Sequence, residues 1–478
     1  MEVLLKIFTS KFWSTLALIL ISQNPIGTFA QDQIKQYDEG SVYEGAFKNG
    51  LRNGLGKYTM PDGFTYEGEW KDDQIQGKGV ARYPTGQLFE GSFKQGVPDG
   101  EGTMTFADGT KYSGSWLDGK MEGDGTLSMT DGSVFKGKFS NNKRDGYGEM
   151  AYSDGSAFKG NWKDNEKQGN GTLIYADKST YEGNWEKGLQ EGFGKLITKD
   201  GVVLEGEWKN GKIDGIGKLV QSNGDRYEGY LVDWKRNGKG VSIYTTGEKY
   251  DGSFKDDMRH GQGILTGKDG FRYEGNWSLG KMDGFGKITY SSGSIYEGNF
   301  KNNQPNGKGK INFSDGGSYE GAWINGVIEG IGIAKYANGL VYEGEFSRGK
   351  NNGFGTMTYS DGYVYKGNWK NGIQEGKGEE KFPNGTTYKG EFKNNQRHGK
   401  GTMKMEDGFS YTGDWVSGEM SGKGIVVYAN GDQYDGNFLN GKREGKGIMT
   451  FQDGEVVDSI WKAGKEVKKE KTKTTPSN

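Results

Sequence analysis

The chain has 478 residues, no cysteine and a formal net charge of −2. That balance gives no electrostatic ground for nucleic-acid binding, and without cysteine neither a disulfide nor a thiolate metal site can form. Glycine is abundant, at 87 residues, yet the aromatic share of 13% is too high for a disordered glycine-rich chain.

The first thirty residues differ in kind from the rest. Lys6 and Lys11 precede an apolar run from Phe12 to Ile21, turn residues including Pro25 follow, and Thr28-Phe29-Ala30 closes the segment. This is the layout of a secretory signal peptide cleaved after Ala30. The run is about half the ~20 residues a bilayer span needs, so the expectation is export to a periplasm, a cell surface or the extracellular space, with an N-terminal membrane anchor as the lesser alternative. Residues 31–42 read as an N-terminal cap. Tyr37 with Asp38-Glu39-Gly40 matches the end of the repeat described next, so a strand is expected to cover the first hairpin.

From Tyr43 to Val456 one 23-residue phrase recurs eighteen times without insertion or deletion. Position 1 is Tyr or Phe except at Leu204, position 5 is Trp or Phe except at Leu231, and positions 3, 12 and 14 are always Gly. Alternation places positions 1, 3 and 5 on one strand face, and positions 14, 16 and 18 of the next strand, such as Gly355, Met357 and Tyr359, also share a face. Bare glycines there let rings lie across the backbone. Asn-Gly, Asn-Asn or Asp-Asp at positions 7 and 8 reads as a hairpin turn, and Asp-Gly or Asn-Gly at 20 and 21 as the return turn. One repeat is one hairpin, and the fold expected is all-β: an elongated single-layer antiparallel β-hairpin array stabilised by neighbour stacking.

The YEGxW…G…GxG…Y…DG phrase resembles the MORN (membrane occupation and recognition nexus) repeat, and the resemblance runs from Tyr43 to Val456. It implies a β-hairpin array that scaffolds proteins or sits at membranes, sometimes on anionic phospholipids. Family members often join the array to a catalytic domain, for which this sequence leaves no residues.

The repeats are not identical. Position 5 alternates Phe and Trp in repeats one to six and ten to eighteen, and Trp185, Trp208 and Leu231 break the alternation between them. Thr198 and Gln221 replace the ring of position 18, and Gly267 follows close by. A bend or hinge is expected there, unless evenly spaced stacking continues through it. Position 17 is usually polar, but four consecutive repeats carry Ile174, Ile197, Val220 and Ile243, with Phe193 and Ile216 at position 13 and Trp234 in a turn. The plain account is strand propensity. The functional account is an apolar stripe on which a protein partner or a second copy docks.

Residues 457–478 read as a degenerate cap, with Val457 and Trp461, and a lysine-rich tail. That tail is expected to be a disordered solubilising end, or alternatively a contact for an anionic membrane through Lys465, Lys468, Lys469, Lys471 and Lys473. His260 and His398 stand six whole periods apart, so no histidine metal pair forms, and the GxG pairs lack the helix a phosphate loop needs. No catalytic residue, metal, cofactor or small-molecule substrate is expected. Three binding roles remain: a non-catalytic scaffold for protein interaction first, anionic membrane surfaces second, and glycans third, the last only if the rings are not used up in stacking.

Overall fold

The structure is a computed structural model that describes residues 33–474, with side chains to residue 470. The signal-peptide segment, residues 1–30, lies outside them. The chain divides into two compact units, Met1–Ala176 and Asp177–Asn478. The first contains thirteen described strands, Gln33–Gln36 to Glu166–Ile174, and the second contains twenty-six, Thr180–Glu186 to Lys465–Thr474. Among the described residues there is no helix. In each unit every repeat is a hairpin of a seven-residue and a nine-residue strand, as in Val42–Lys48 with Leu51–Thr59 and Val341–Ser347 with Lys350–Thr358.

Both turn residues take positive φ, for example 48° and 66° at Asp72 and Asp73, which is the twist-matched type I′ turn. At the return turn Asp361 accepts the N–H of Tyr363 at 2.9 Å. Lys178, the one residue other than glycine at position 21, still adopts φ 76°.

A bulge sits inside each hairpin. Pairing passes from Gly45 opposite Gly56 to Phe47 opposite Arg52, so the second strand carries extra residues, and Gly54 at position 12 turns to φ 96°. The tyrosine of position 1 bonds to the carbonyl at position 4 beside the bulge: Tyr66 donates to Glu69 at 3.0 Å and Tyr342 to Glu345 at 2.9 Å.

Glycines of positions 3 and 14 face one another across each pairing, as Gly344 with Gly355 and Gly355 with Gly367. The position-1 ring lies over this glycine pair and is buried, with Tyr66 and Tyr342 0% exposed. Most such rings meet two position-5 rings edge to face, their own and that of the following repeat, as Tyr342 meets Phe346 and Trp369. In the first unit the column is continuous from Tyr43–Phe47 at 5.1 Å to Phe158–Trp162 at 5.3 Å. Tryptophans add a second link: Trp70 and Trp116 donate to the carbonyls of Gly56 and Gly102 in the preceding repeat at 3.2 Å. Phenylalanine has no such donor.

In the second unit the column begins with Tyr181, Trp185 and Trp208, stops, and resumes from Tyr227–Phe254 at 5.3 Å to Tyr434–Trp461 at 5.6 Å. Leu204, Ile213 and Leu231 fill the gap, all buried. Stacking is therefore not even through repeats seven to nine, and at ~0.5–1.5 kcal/mol per aromatic pair this is the least braced part of that column.

The tyrosines make stability depend on pH. Burial pushes Tyr227, Tyr250, Tyr319 and Tyr434 up to about 12, and burial raises Tyr66, Tyr273 and Tyr342 further still. In an unfolded chain they ionise near 10. The raised folded-state value means the stabilisation is complete below pH ~10 and is lost as pH rises through the folded value. Alkaline titration followed at 295 nm should show phenolate appearing together with loss of the strand signal in circular dichroism. Ionisation of all tyrosines with that signal intact would contradict their burial.

Candidate interaction surface

With the rings closed against one another and against the glycines, the opposite face carries positions 2, 4, 13, 15 and 17. This is where the apolar residues picked out by sequence lie. Ile174, in the first unit, is opposite Ala157 and 40% exposed. In the second unit Ile197 is opposite Val203, and Val203 opposite Val220, a continuous apolar row across three strands. Arg226 then stands between Val220 and Ile243, so the expected run of four is interrupted.

Phe193 and Ile216, 63% and 65% exposed, do not extend this row. They form a second one, opposite Glu207 and Tyr230, and a charged row of Lys195, Glu205, Lys218 and Glu228 separates the two. The stripe is thus an apolar row and a mixed row of Phe193, Glu207, Ile216 and Tyr230 flanking an ionic one, in which Lys218 meets Glu228 at 3.7 Å. Tyr230 donates to Asp214 at 3.2 Å, and that bond raises its phenol pKa. Trp234 has φ 71°, rare for so large a residue, is 45% exposed, and sets its edge on Trp208 at 5.9 Å. Val203 and Tyr230 were not singled out from the sequence. The signal was available, because position 17 pairs with the residue before the next position 1, and position 13 with position 4.

The tail corrects the expectation of disorder. Lys465–Thr474 is a strand paired antiparallel with Glu455–Lys462, which completes a nineteenth hairpin. Backbone pairing needs no apolar side chain, and a lysine-rich outer strand discourages further pairing. Lys465, Lys468 and Lys469 are exposed, with Lys468 and Lys469 adjacent and so on opposite faces. Lys471 and Lys473 stand opposite Asp458 and Val456. In this hairpin Ser459 takes the glycine place opposite Gly447, and the buried Nε1 of Trp461 has no partner.

Two grooves run along the same face, floored by the paired glycines. In the first unit a groove of about 830 Å³ is lined by Glu44, Glu67, Glu90 and Glu101 with Lys57 and Lys78. In the second unit two stretches of about 450 and 500 Å³ share Lys389 and Lys400 and also take in Phe354, Lys366, Lys377 and Lys423, with Glu379, Glu391 and Asp435 among them. The first groove is acidic and the second basic. Among the described residues no group of histidine and carboxylate side chains could hold a metal ion.

The MORN repeat model matches the chain in eighteen consecutive segments, from residues 43–65 to residues 434–456. None of the curated proteins matches the chain. Among solved structures it is similar to the TCP domain of SAS-4 from Drosophila melanogaster in complex with a proline-rich motif of Ana2. That match covers 36% of this chain and 86% of that one at 14% identity, with a TM-score of 0.22. The wild-type TCP10 domain of Danio rerio CPAP matches over 56% of this chain and 99% of its own at 12% identity and a TM-score of 0.15. A streptogramin B lyase matches over 61% and 90% at 17% identity and a TM-score of 0.11. Scores this low describe no common overall arrangement of strands. The family model, by contrast, accounts for every repeat in register, and the chain belongs to the MORN repeat family.

Proposed function

We propose that this chain is an exported, non-catalytic scaffold that binds a protein partner, or a second copy of itself, through the face opposite the ring column. One observation carries the reading. The ring face is spent on internal packing, with position-1 tyrosines at most 4% exposed, while the other face leaves Phe193 and Ile216 more than half exposed near the Ile197–Val203–Val220 row. Exposed apolar side chains divided by charge are the composition of a recognition surface rather than of a solvated one. Repeats of this family belong to no enzyme class and serve protein or membrane binding. Export is supported by the layout of Lys6, Lys11, Phe12 to Ile21 and Ala30. Column rings packed edge to face are not free to stack on sugars, which removes the ground for glycan binding by those rings.

The test is light scattering after size exclusion on residues 31–478, wild type against the Ile197→Thr, Val220→Thr double variant. Hot-spot truncations cost about 1–2 kcal/mol each, so association should weaken by roughly tenfold or more. Unchanged assembly would remove this surface as the docking face.

A further inference from the structure

The basic groove of the second unit has no counterpart in the proposal above and calls for a different partner chemistry. Its floor is the run of paired glycines Gly367, Gly378, Gly390, Gly401, Gly413 and Gly424. One wall carries Lys366, Glu379, Lys389 and Asp435, and the other Phe354, Lys377, Glu391, Lys400 and Lys423. Lys389 meets Glu379 at 3.7 Å and Lys400 meets Asp414 at 2.6 Å. Lys366, Lys377 and Lys423 form no ion pair among the described residues; Glu391 stands opposite Lys377, and five lysines against Glu379, Glu391 and Asp435 leave a modest positive surplus along the groove.

We propose that this groove binds an extended acidic polypeptide segment of a partner protein, laid across the strands from Phe354 to Lys423. The inference deepens the scaffold reading by naming the chemistry of a partner, and rests on it. Three features favour a chain of this kind. The glycine floor is recessed between two walls of side chains, which a narrow backbone can enter and a planar bilayer cannot. Lys377, Lys400 and Lys423 recur once per hairpin, two strand spacings or ~9.6 Å, and an extended chain covers that in about three residues. A carboxylate at every third position would therefore meet successive lysines. Finally, the equivalent groove of the first unit is lined by four glutamates against two lysines, so the same segment is repelled there.

The experiment uses the chain from residue 31 to 478 and a fluorescent peptide of about twelve residues with glutamate at every third position and glycine and serine between, read by anisotropy. Controls are the same peptide with glutamine for glutamate and one with its glutamates in a block. The spaced peptide should bind in a salt-dependent way, the glutamine peptide should not, and the block should bind more weakly. Lys377→Gln, Lys400→Gln and Lys423→Gln together should weaken the spaced peptide by about tenfold. Lys209→Gln, Lys255→Gln and Lys301→Gln, exposed lysines outside the groove, should leave it unchanged. Equal binding by spaced and blocked peptides, or indifference to the groove variant, overturns the proposal. So does sedimentation with phosphatidylserine vesicles that depends on the same three lysines while the peptide is ignored, which would make the groove a lipid site. Assembly lost on changing Ile197 and Val220 is read separately, so failure of the peptide with assembly intact strikes this inference alone.

Discussion

Changing Gly355 to alanine is expected to open the hairpin around it, at a cost of about 4 kcal/mol, beyond the usual range for overpacking. A Cβ there would stand 2.5 Å from Cζ of Tyr342, with the hydroxyl closer still. The ring cannot give way. Its hydroxyl is bonded to Glu345 at 2.9 Å, and Phe346 and Trp369 hold its flanks at 5.0 and 5.5 Å. Trp369 in turn donates to the carbonyl of Gly355 itself at 3.2 Å, so the backbone is fixed from the other side. Hydrogen exchange should show protection lost in this hairpin and its immediate neighbours and kept elsewhere in the unit, because each repeat touches only the next. Gly372→Ala is the matched control. That glycine has φ 86° and nothing within 4 Å of an added Cβ, so only backbone strain of about 1 kcal/mol applies. Equal costs for the two changes would mean that rings over bare backbone do not hold the array together.

The second large effect concerns an ion pair set inside the apolar layer. Glu380 occupies position 16, where the repeats on either side have Met357 and Met403. Its side chain is 9% exposed and meets the Nε of Arg397, itself 19% exposed, at 2.6 Å. Tyr363 donates to the other carboxylate oxygen at 2.7 Å. Arg397→Met alone strands a buried carboxylate and should cost about 3–5 kcal/mol. Adding Glu380→Met restores the residue type of both neighbouring repeats and should recover most of the loss, with Gln374 still beside the Tyr363 hydroxyl. Urea unfolding of the single and double variants decides it. A double variant as unstable as the single would show that the polar cluster contributes more than the removal of one charge can explain.

The fold was largely readable because the period leaves each position one task. The face bearing positions 1, 3 and 5, the two turns and the ring-over-glycine packing all follow from residue type and alternation. The bulge did not follow: glycine at position 12 was as constant as at 3 and 14, but only register shows that it turns to positive φ while the other two lie under rings. Nor could composition reveal that position-5 indoles such as those of Trp277 and Trp369 reach the preceding glycine carbonyl. The surface was less legible. Ile197 and Val220 were visible as exceptions, whereas Lys195 and Lys218, which divide the apolar row from the mixed one, looked like ordinary repeat residues. Lys377, Lys400 and Lys423 are each unremarkable in sequence, and cross-strand pairing alone puts them along one wall. The lysine tail misled because its strand is held by backbone groups that any side chain permits.

The tryptophan bond to the preceding glycine carbonyl has a mechanical consequence. In the second unit it fastens the junctions entered by Trp277, Trp323, Trp369 and Trp415, while those entered by Phe254, Phe300, Phe346, Phe392 and Phe438 keep strand pairing and ring contact but lack this bond. Consecutive strands pulled from a chain end peel apart one backbone bond at a time instead of shearing together. Strong and weak junctions then alternate along the load path, so the unit would pay out under tension in two-hairpin lengths, like a strap stitched at every second fold.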